Sequence, residues 1–109
     1  MKRRDVVLAV APGDLGKPRP GVVVQADELG EQTTGVLVCP MSSDIRNTTR
    51  TRPVVDPSPS NGLRLRSQIM TDRLVSVRRD RIKQVIGSLD AEIGDQLDRA
   101  LLVVLGLAR

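Results

Sequence analysis

Hydrophobic residues along this chain come in short bursts separated by clusters of Pro, Gly, Ser and Asp, a pattern of strands and turns. "DVVLAVAP" (5–12) predicts a strand closed by Pro-Gly, and "APGDLGKPRP" a loop. "GVVVQ" (21–25) and "GVLVCPM" (35–41) are continuous apolar runs, expected as buried strands, the second stopped at Pro40. Between them "ADELGEQTT" is a polar turn or a single helical turn, and "SSDIRNTTRT" a basic loop. "RPVVD" (52–56) predicts a short strand that Pro53 confines to an edge. "LVSV" and "KQVIGS" (83–88) read as short closing strands.

"LRLRSQIM" (63–70) alternates, with Leu63, Leu65 and Ile69 on one face and Arg64, Arg66 and Gln68 on the other. Two readings stay open for it: a half-exposed strand with its arginines in water, or a strand lining a site with two cations and an amide. The C-terminal part changes period. Leu89, Ile93, Leu97, Ala100, Leu101 and Val104 recur at helical spacing. Ser88 is placed as the N-cap, Asp90 and Glu92 sit in the first turn, and Gly106 is the stop. The fold class is therefore α+β: a small, strongly bent antiparallel sheet or partial barrel with one C-terminal amphipathic helix, in a single domain spanning 1–109.

Composition sharpens this. A chain of 109 residues can bury roughly two thirds of its unfolded surface, enough for a core. That core is aliphatic, because Phe, Tyr and Trp are all absent. Stacking of bases on aromatic rings is excluded with them, leaving only arginine planes. There is no His, which removes Ser/His/Asp and Cys/His catalysis and most zinc sites. The single cysteine, Cys39, excludes an internal disulfide and reads as a small buried hydrophobe. No apolar run reaches a membrane span and no secretory signal is visible, so a cytoplasmic location is expected. The net charge is only +4, yet residues 46–83 concentrate arginine against few acids, which points to a polyanionic partner or to a solvated surface.

Chemistry must then come from charge and hydrogen bonding. The acidic residues lie mostly in turns, form no metal-ligand spacing and read as solvated. No phosphate-binding glycine motif is present. Guanidinium groups suit phosphate, which they hold through paired donors and stabilise as charge develops. Arg19 stands between Pro18 and Pro20, directly before three valines. The prolines stiffen the backbone on either side of it, as an aimed cation requires.

The segments "KPRPGVVVQ", "GVLVCPMSS", "NGLRLRSQI" and "IGSLDAEIGDQLDRALLVVLGL" together resemble the MazF/PemK toxins (CcdB-like) of bacterial toxin–antitoxin systems, over essentially the whole chain. The resemblance implies a small barrel-like sheet with a C-terminal helix, a homodimer, and a metal-independent endoribonuclease that needs no cofactor. That activity cuts single-stranded RNA at short sequence motifs by attack of the 2′-hydroxyl on the adjacent phosphate, leaving a 2′,3′-cyclic phosphate and a 5′-hydroxyl. It places the essential arginine at Arg19, the functional hydroxyl at Ser42 and a catalytic glutamine at Gln68. RNA contacts are expected from Lys17, Ser43, Arg46, Arg64 and Arg66. A guanidinium does not exchange protons readily near neutral pH, so stabilising charge on the phosphate is the expected role of Arg19. The expected protein partner is an acidic, disordered antitoxin segment that fills the basic groove.

Two other readings remain at this stage. One is a gyrase inhibitor of the CcdB type, without nuclease activity; the Trp that such inhibitors use is missing here. The other is a basic module that binds RNA without cutting it.

Overall fold

The computed structural model describes residues 1–47 and 50–108. Among the described residues seven strands form one antiparallel sheet: β1 (Asp5–Ala9), β2 (Arg19–Val23), β3 (Gly35–Ser42), β4 (Val54–Val55), β5 (Ser67–Ile69), β6 (Val75–Arg78) and β7 (Ile82–Ser88). The helix α1 (Ala91–Val104) follows. The sheet runs β4-β5-β3-β2-β1-β7, with β6 also paired to β3. It is strongly curled into a half-barrel, as the sequence pattern predicts.

Strand β3 is the hub. One edge pairs with β2, Gly21 opposite Pro40 and Val23 opposite Val38. The other edge is shared: β6 takes Gly35–Val38 and β5 takes Met41 and Ser42. Pro40 was expected to end this strand, yet the strand continues through it to Ser42. The Pro40 carbonyl accepts from the Met70 N–H at 2.8 Å, so its backbone polar groups face the second edge. There Pro40 falls between the residues paired to β6 and those paired to β5, and the missing N–H deprives no ladder of a donor. On the first edge Gly21 is required by contact, since a Cβ there would lie 2.6 Å from a Val38 methyl.

Each face of the sheet buries its own aliphatic cluster. Val6, Val22, Cys39, Met41 and Ile69 pack with Leu97 and Leu101 of α1. Val7, Ala9, Val23, Val36, Val38 and Val77 fill the other side. The period-2 alternation of β1, β2 and β3 divides most of their apolar side chains between these two cores, with Leu37 of β3 left exposed.

Two local expectations change. The alternating segment 63–70 is a strand only at Ser67–Ile69. Leu63 is buried in the core but Leu65 is 62% exposed, so the two do not share the one face that an unbroken ladder would give them. Ser88 ends β7, its N–H bonded to the Ser60 carbonyl, and Asp90 caps the helix instead, accepting from the Ile93 N–H at 2.9 Å. β4 does lie at the sheet edge, in agreement with Pro53. The helix ends as expected at Gly106, whose φ of 76° permits the paired bonds Gly106 N–H to Val103 and Leu107 N–H to Leu102. No helix among the described residues is long and apolar enough to cross a membrane.

Arg3 and Arg4 strap the helix to the start of β1. Arg4 reaches Asp95 at 3.0 Å and Asp98 at 2.9 Å, and Arg3 reaches Asp98 at 2.7 Å. The Arg4 guanidinium lies over Gly94, where a Cβ would come within 2.5 Å of it.

Candidate active-site groove

A groove of about 1000 Å³ opens along the loop between β1 and β2, the C-terminal end of β3, the loop before β5 and the outer part of β7. Arg19, Ser42, Ser43 and Arg64 all line it, so the structure brings together four of the side chains singled out from sequence. The β2–β3 register explains the first pair. Gly21 faces Pro40 at the end of the paired stretch, and Arg19 and Ser42, each two residues beyond it, lie at that same end of the two strands.

Arg19 begins β2 opposite Ala9 of β1, with Pro20 paired to Leu8. Its side chain is 57% exposed, and its Nε lies 3.6 Å from Asp14 Oδ1. Asp14 organises the loop in front of it. Its Oδ2 accepts from the Ala11 N–H at 2.9 Å, its N–H donates to the Ala11 carbonyl, and its carbonyl accepts from the Lys17 N–H. Gly13 and Gly16, at φ 91° and 80°, supply the left-handed turns on either side. Asp14 is thus no loosely solvated turn residue, and among the described residues it is the one carboxylate lining the groove.

Ser42 is the last residue of β3 and pairs with Gln68 of β5. Its Oγ accepts from the Asp44 N–H at 3.1 Å. That bond occupies a lone pair and leaves the hydroxyl proton free to donate. Ser43 is exposed beside it.

The other expected site residues lie elsewhere. Gln68 is 0% exposed. Its amide holds the backbone of Arg46 at both ends, accepting from the N–H at 3.1 Å and donating to the carbonyl at 2.8 Å. It anchors the loop after β3 and presents no free group to the groove. The expectation that it shares an outward polar face with Arg64 and Arg66 fails because that alternation ends where the ladder does. The Arg46 side chain is chelated by Asp44, through Nε at 3.1 Å and an Nη at 2.7 Å. Arg66 pairs with Asp56 at 3.0 Å. Arg46, Arg66 and Lys17 do not line the groove. Arg73 and Gln84 do line it and were not singled out as site residues.

Cys39 is fully buried, and burial pushes its thiol up to about 12, so no thiolate is available at the site. Among the described residues no three carboxylate or thiol side chains gather as metal ligands would.

An open groove carrying guanidiniums, a free hydroxyl proton and one carboxylate, on an aliphatic half-barrel, has the chemistry that suits a phosphate. The chain belongs to the family of PemK-like, MazF-like toxins of type II toxin–antitoxin systems, whose model matches residues 2–105. It is 35% identical over 109 residues to the probable endoribonuclease MazF of Mycolicibacterium smegmatis, covering 99% of each chain. Its fold is similar to that of the Mycobacterium tuberculosis toxin MazF-mt6, with a TM-score of 0.80 at 24% identity over 94% of this chain and 97% of that one. It is similar as well to an endoribonuclease in complex with its cognate antitoxin from Mycobacterial species, with a TM-score of 0.82 at 19% identity over 100% of this chain and 98% of the other.

Proposed function

We propose that residues 1–109 form one toxin domain that cleaves single-stranded RNA at short sequence motifs, without a metal ion. The coarser assignment, a MazF-like toxin endoribonuclease of a toxin–antitoxin system, rests on the family and on the near full-length relative. The observation that carries the finer reading is the presence of Arg19 and Ser42 in one groove, with Asp14 beside the arginine.

In this reading the scissile phosphate sits between Arg19 and Ser42. The substrate's 2′-oxygen forms the new bond to phosphorus as its proton passes to Asp14, and the bond to the 5′-oxygen breaks, the departing oxygen taking up a proton from solvent water. The products are a 2′,3′-cyclic phosphate and a 5′-hydroxyl. Arg19 stabilises the charge that builds on the phosphoryl oxygens and Ser42 donates to one of them. Gln68 acts at one remove, by fixing the loop that follows Ser42. Ser43 and Arg64 contact flanking nucleotides, while Lys17, Arg46 and Arg66 supply long-range attraction from outside the groove.

The test is incubation of purified protein with a long single-stranded RNA in EDTA. Discrete cuts ending in 2′,3′-cyclic phosphates, lost in Arg19→Ala, are expected. Absence of cuts, or equal cutting by Arg19→Ala, refutes the nuclease. The CcdB-type reading is not favoured, because the matching family model is that of the PemK and MazF toxins.

The reading extends to a homodimer in the cytoplasm, held inactive by an acidic antitoxin. Leu102, Leu105 and Leu107 are exposed at the end of α1, an apolar surface suited to a protein partner. The structurally similar endoribonuclease in complex with its cognate antitoxin is the precedent for the second partner. Light scattering at micromolar concentration is expected to give twice the 11.9 kDa monomer mass, and the monomer mass would refute the dimer.

A further inference from the structure

We propose that Arg73 is a second phosphate-binding residue of the groove, holding a backbone phosphate next to the scissile one. The inference rests on the endoribonuclease reading and adds a residue to it.

Most arginines here are committed. Arg3 and Arg4 bind Asp98, Arg46 binds Asp44, Arg52 binds Asp72, Arg66 binds Asp56 and Arg78 binds Asp80. Arg79 donates to the carbonyls of Gly30 and Thr33. Of the arginines lining the groove, Arg19 has Asp14, whereas Arg64 and Arg73 have no carboxylate within 4.0 Å among the described residues. A guanidinium without a counter-charge in a concave surface is the group best placed to take a phosphate.

Arg73 differs from Arg64 in how firmly it is mounted. It closes the 3-10 turn Thr71–Arg73, its N–H bonded to the Met70 carbonyl at 3.0 Å. The turn is fastened from three sides. Thr71 is fully buried and donates to the Thr51 carbonyl. Met70 is tied to Pro40. Asp72 is gripped by Arg52 through two bonds of 2.7 and 2.8 Å. That grip has a second effect: both oxygens of the neighbouring carboxylate are bonded to Arg52, and Asp72 acts on Arg73 only through space. Its hydrogen bond with Arg52 holds the Asp72 carboxyl below its usual range, in keeping with a fully engaged anion.

The position relative to the centre follows from the sheet. Arg19 is on β2, against one edge of β3; the Thr71–Arg73 turn joins β5 to β6, both against the other edge. Ser42 therefore lies between them. Strands β2 and β5 flank β3, two strand spacings or about 10 Å apart, so the cation on β2 and the cation on the turn that follows β5 stand on opposite sides of Ser42, where one RNA strand can meet both. Such a contact orients the RNA and carries no sequence information of its own.

The experiment uses a fluorescent single-stranded oligonucleotide that contains the cleavage motif and is 2′-O-methylated to prevent cutting. Its affinity for full-length wild type, Arg73→Ala, Arg73→Lys and Arg99→Ala is measured across a salt series, with thermal unfolding of each variant. Arg99 is exposed on α1 away from the groove and controls for the loss of one charge. Arg73→Ala is expected to bind about tenfold more weakly and to flatten the slope of log affinity against log salt by about 0.7, the value for one lost phosphate contact on a single strand. Arg73→Lys is expected to restore the slope and part of the affinity. A slope unchanged in Arg73→Ala, or changed equally in Arg99→Ala, overturns the assignment while leaving a cutting enzyme intact. A wild type that neither cuts nor binds RNA overturns both this assignment and the functional reading on which it rests.

Discussion

Asp14 and Arg19 meet across the β1–β2 turn, with Arg19 Nε 3.6 Å from Asp14 Oδ1 while Asp14 Oδ2 holds the Ala11 N–H at 2.9 Å. One carboxylate thus shapes the loop and faces the cation that the loop presents. The two duties separate by substitution. Asp14→Asn keeps an oxygen for Ala11 and loses the charge, so RNA cleavage is expected to fall by at least tenfold with less than ~0.5 kcal/mol change in stability. Asp14→Ala loses both and is expected to cost about 1–2 kcal/mol as well. Cleavage rates and chemical denaturation of the two variants check this. Equal cleavage by Asp14→Asn and wild type removes Asp14 from the chemistry.

Arg19 itself contributes little to folding, being more than half exposed and paired at a long distance. Arg19→Ala is expected to leave the unfolding temperature within a degree or two and to lower cleavage by about 100- to 1000-fold, the usual cost of removing a donor aimed at developing charge. Arg19→Lys is expected to recover little, because an ammonium lacks the planar fork. An unfolding temperature that falls with the activity would mark Arg19 as structural.

For Gln68 the expected order is reversed, stability first and activity second. Its amide satisfies both backbone groups of Arg46 while fully buried. Gln68→Leu strands those groups and is expected to cost about 2–3 kcal/mol. Amide exchange at Arg46 should accelerate in step. Residual activity should then track the ordering of the Ser42 end of β3 rather than the chemistry of an amide. A stable, inactive Gln68→Leu with a protected Arg46 amide would show that Gln68 touches the substrate.

Cys39 gives a folding probe. Its thiol is buried between β2 and the helix-side core and pushed up to about 12. Iodoacetamide at pH 8 is expected to leave the native protein unmodified and to label it fully in denaturant. Labelling of native protein at the rate of a free thiol would refute the placement of β3.

The strands legible in the sequence are those whose apolar runs settle both faces at once. Val6–Val7 and Val22–Val23 are buried whichever way the register falls, and in the third run Val36, Val38 and Cys39 are buried while Leu37 is left exposed. The helix was legible for the matching reason, since Leu97, Ala100 and Leu101 share one stripe. The site was legible only in part, because its residues depend on pairings between distant segments. Arg19 and Ser42 stood out through their prolines and their family context. Asp14 looked like any acidic turn residue, and only the β1–β2 register, with Arg19 opposite Ala9, brings it to the arginine. Arg73 could not be told from the other arginines until Arg52 was seen to occupy Asp72. The place of Gln68 is hidden in the sequence because alternation over 63–70 reads as a continuous ladder, whereas the chain is strand for only Ser67–Ile69.

The strap of Arg3 and Arg4 on the helix should make the fold sensitive to acid. Burial pushes the Asp98 carboxyl up, but hydrogen bonds from Arg3 and Arg4 outweigh it and hold the group below its ordinary value of 3.8. A carboxylate depressed in the folded state stabilises fully above its unfolded value, near pH 4, and the contribution drains away as pH falls through the lower folded-state value. Asp72, lowered by its hydrogen bond with Arg52, draws on the same window. The unfolding temperature of wild type is therefore expected to hold between pH 7 and 5 and to drop below pH 4. Asp98→Asn is expected to lower it at pH 7, where the strap is charged, and to flatten part of the acid drop, since the titrating group is gone. The remaining slope should shrink further in Asp98→Asn with Asp72→Asn. Curves for wild type and Asp98→Asn that run parallel from pH 7 to pH 3 would show that the strap carries no linkage, and that the ion pairs of Arg3 and Arg4 leave the helix's attachment to its apolar face alone.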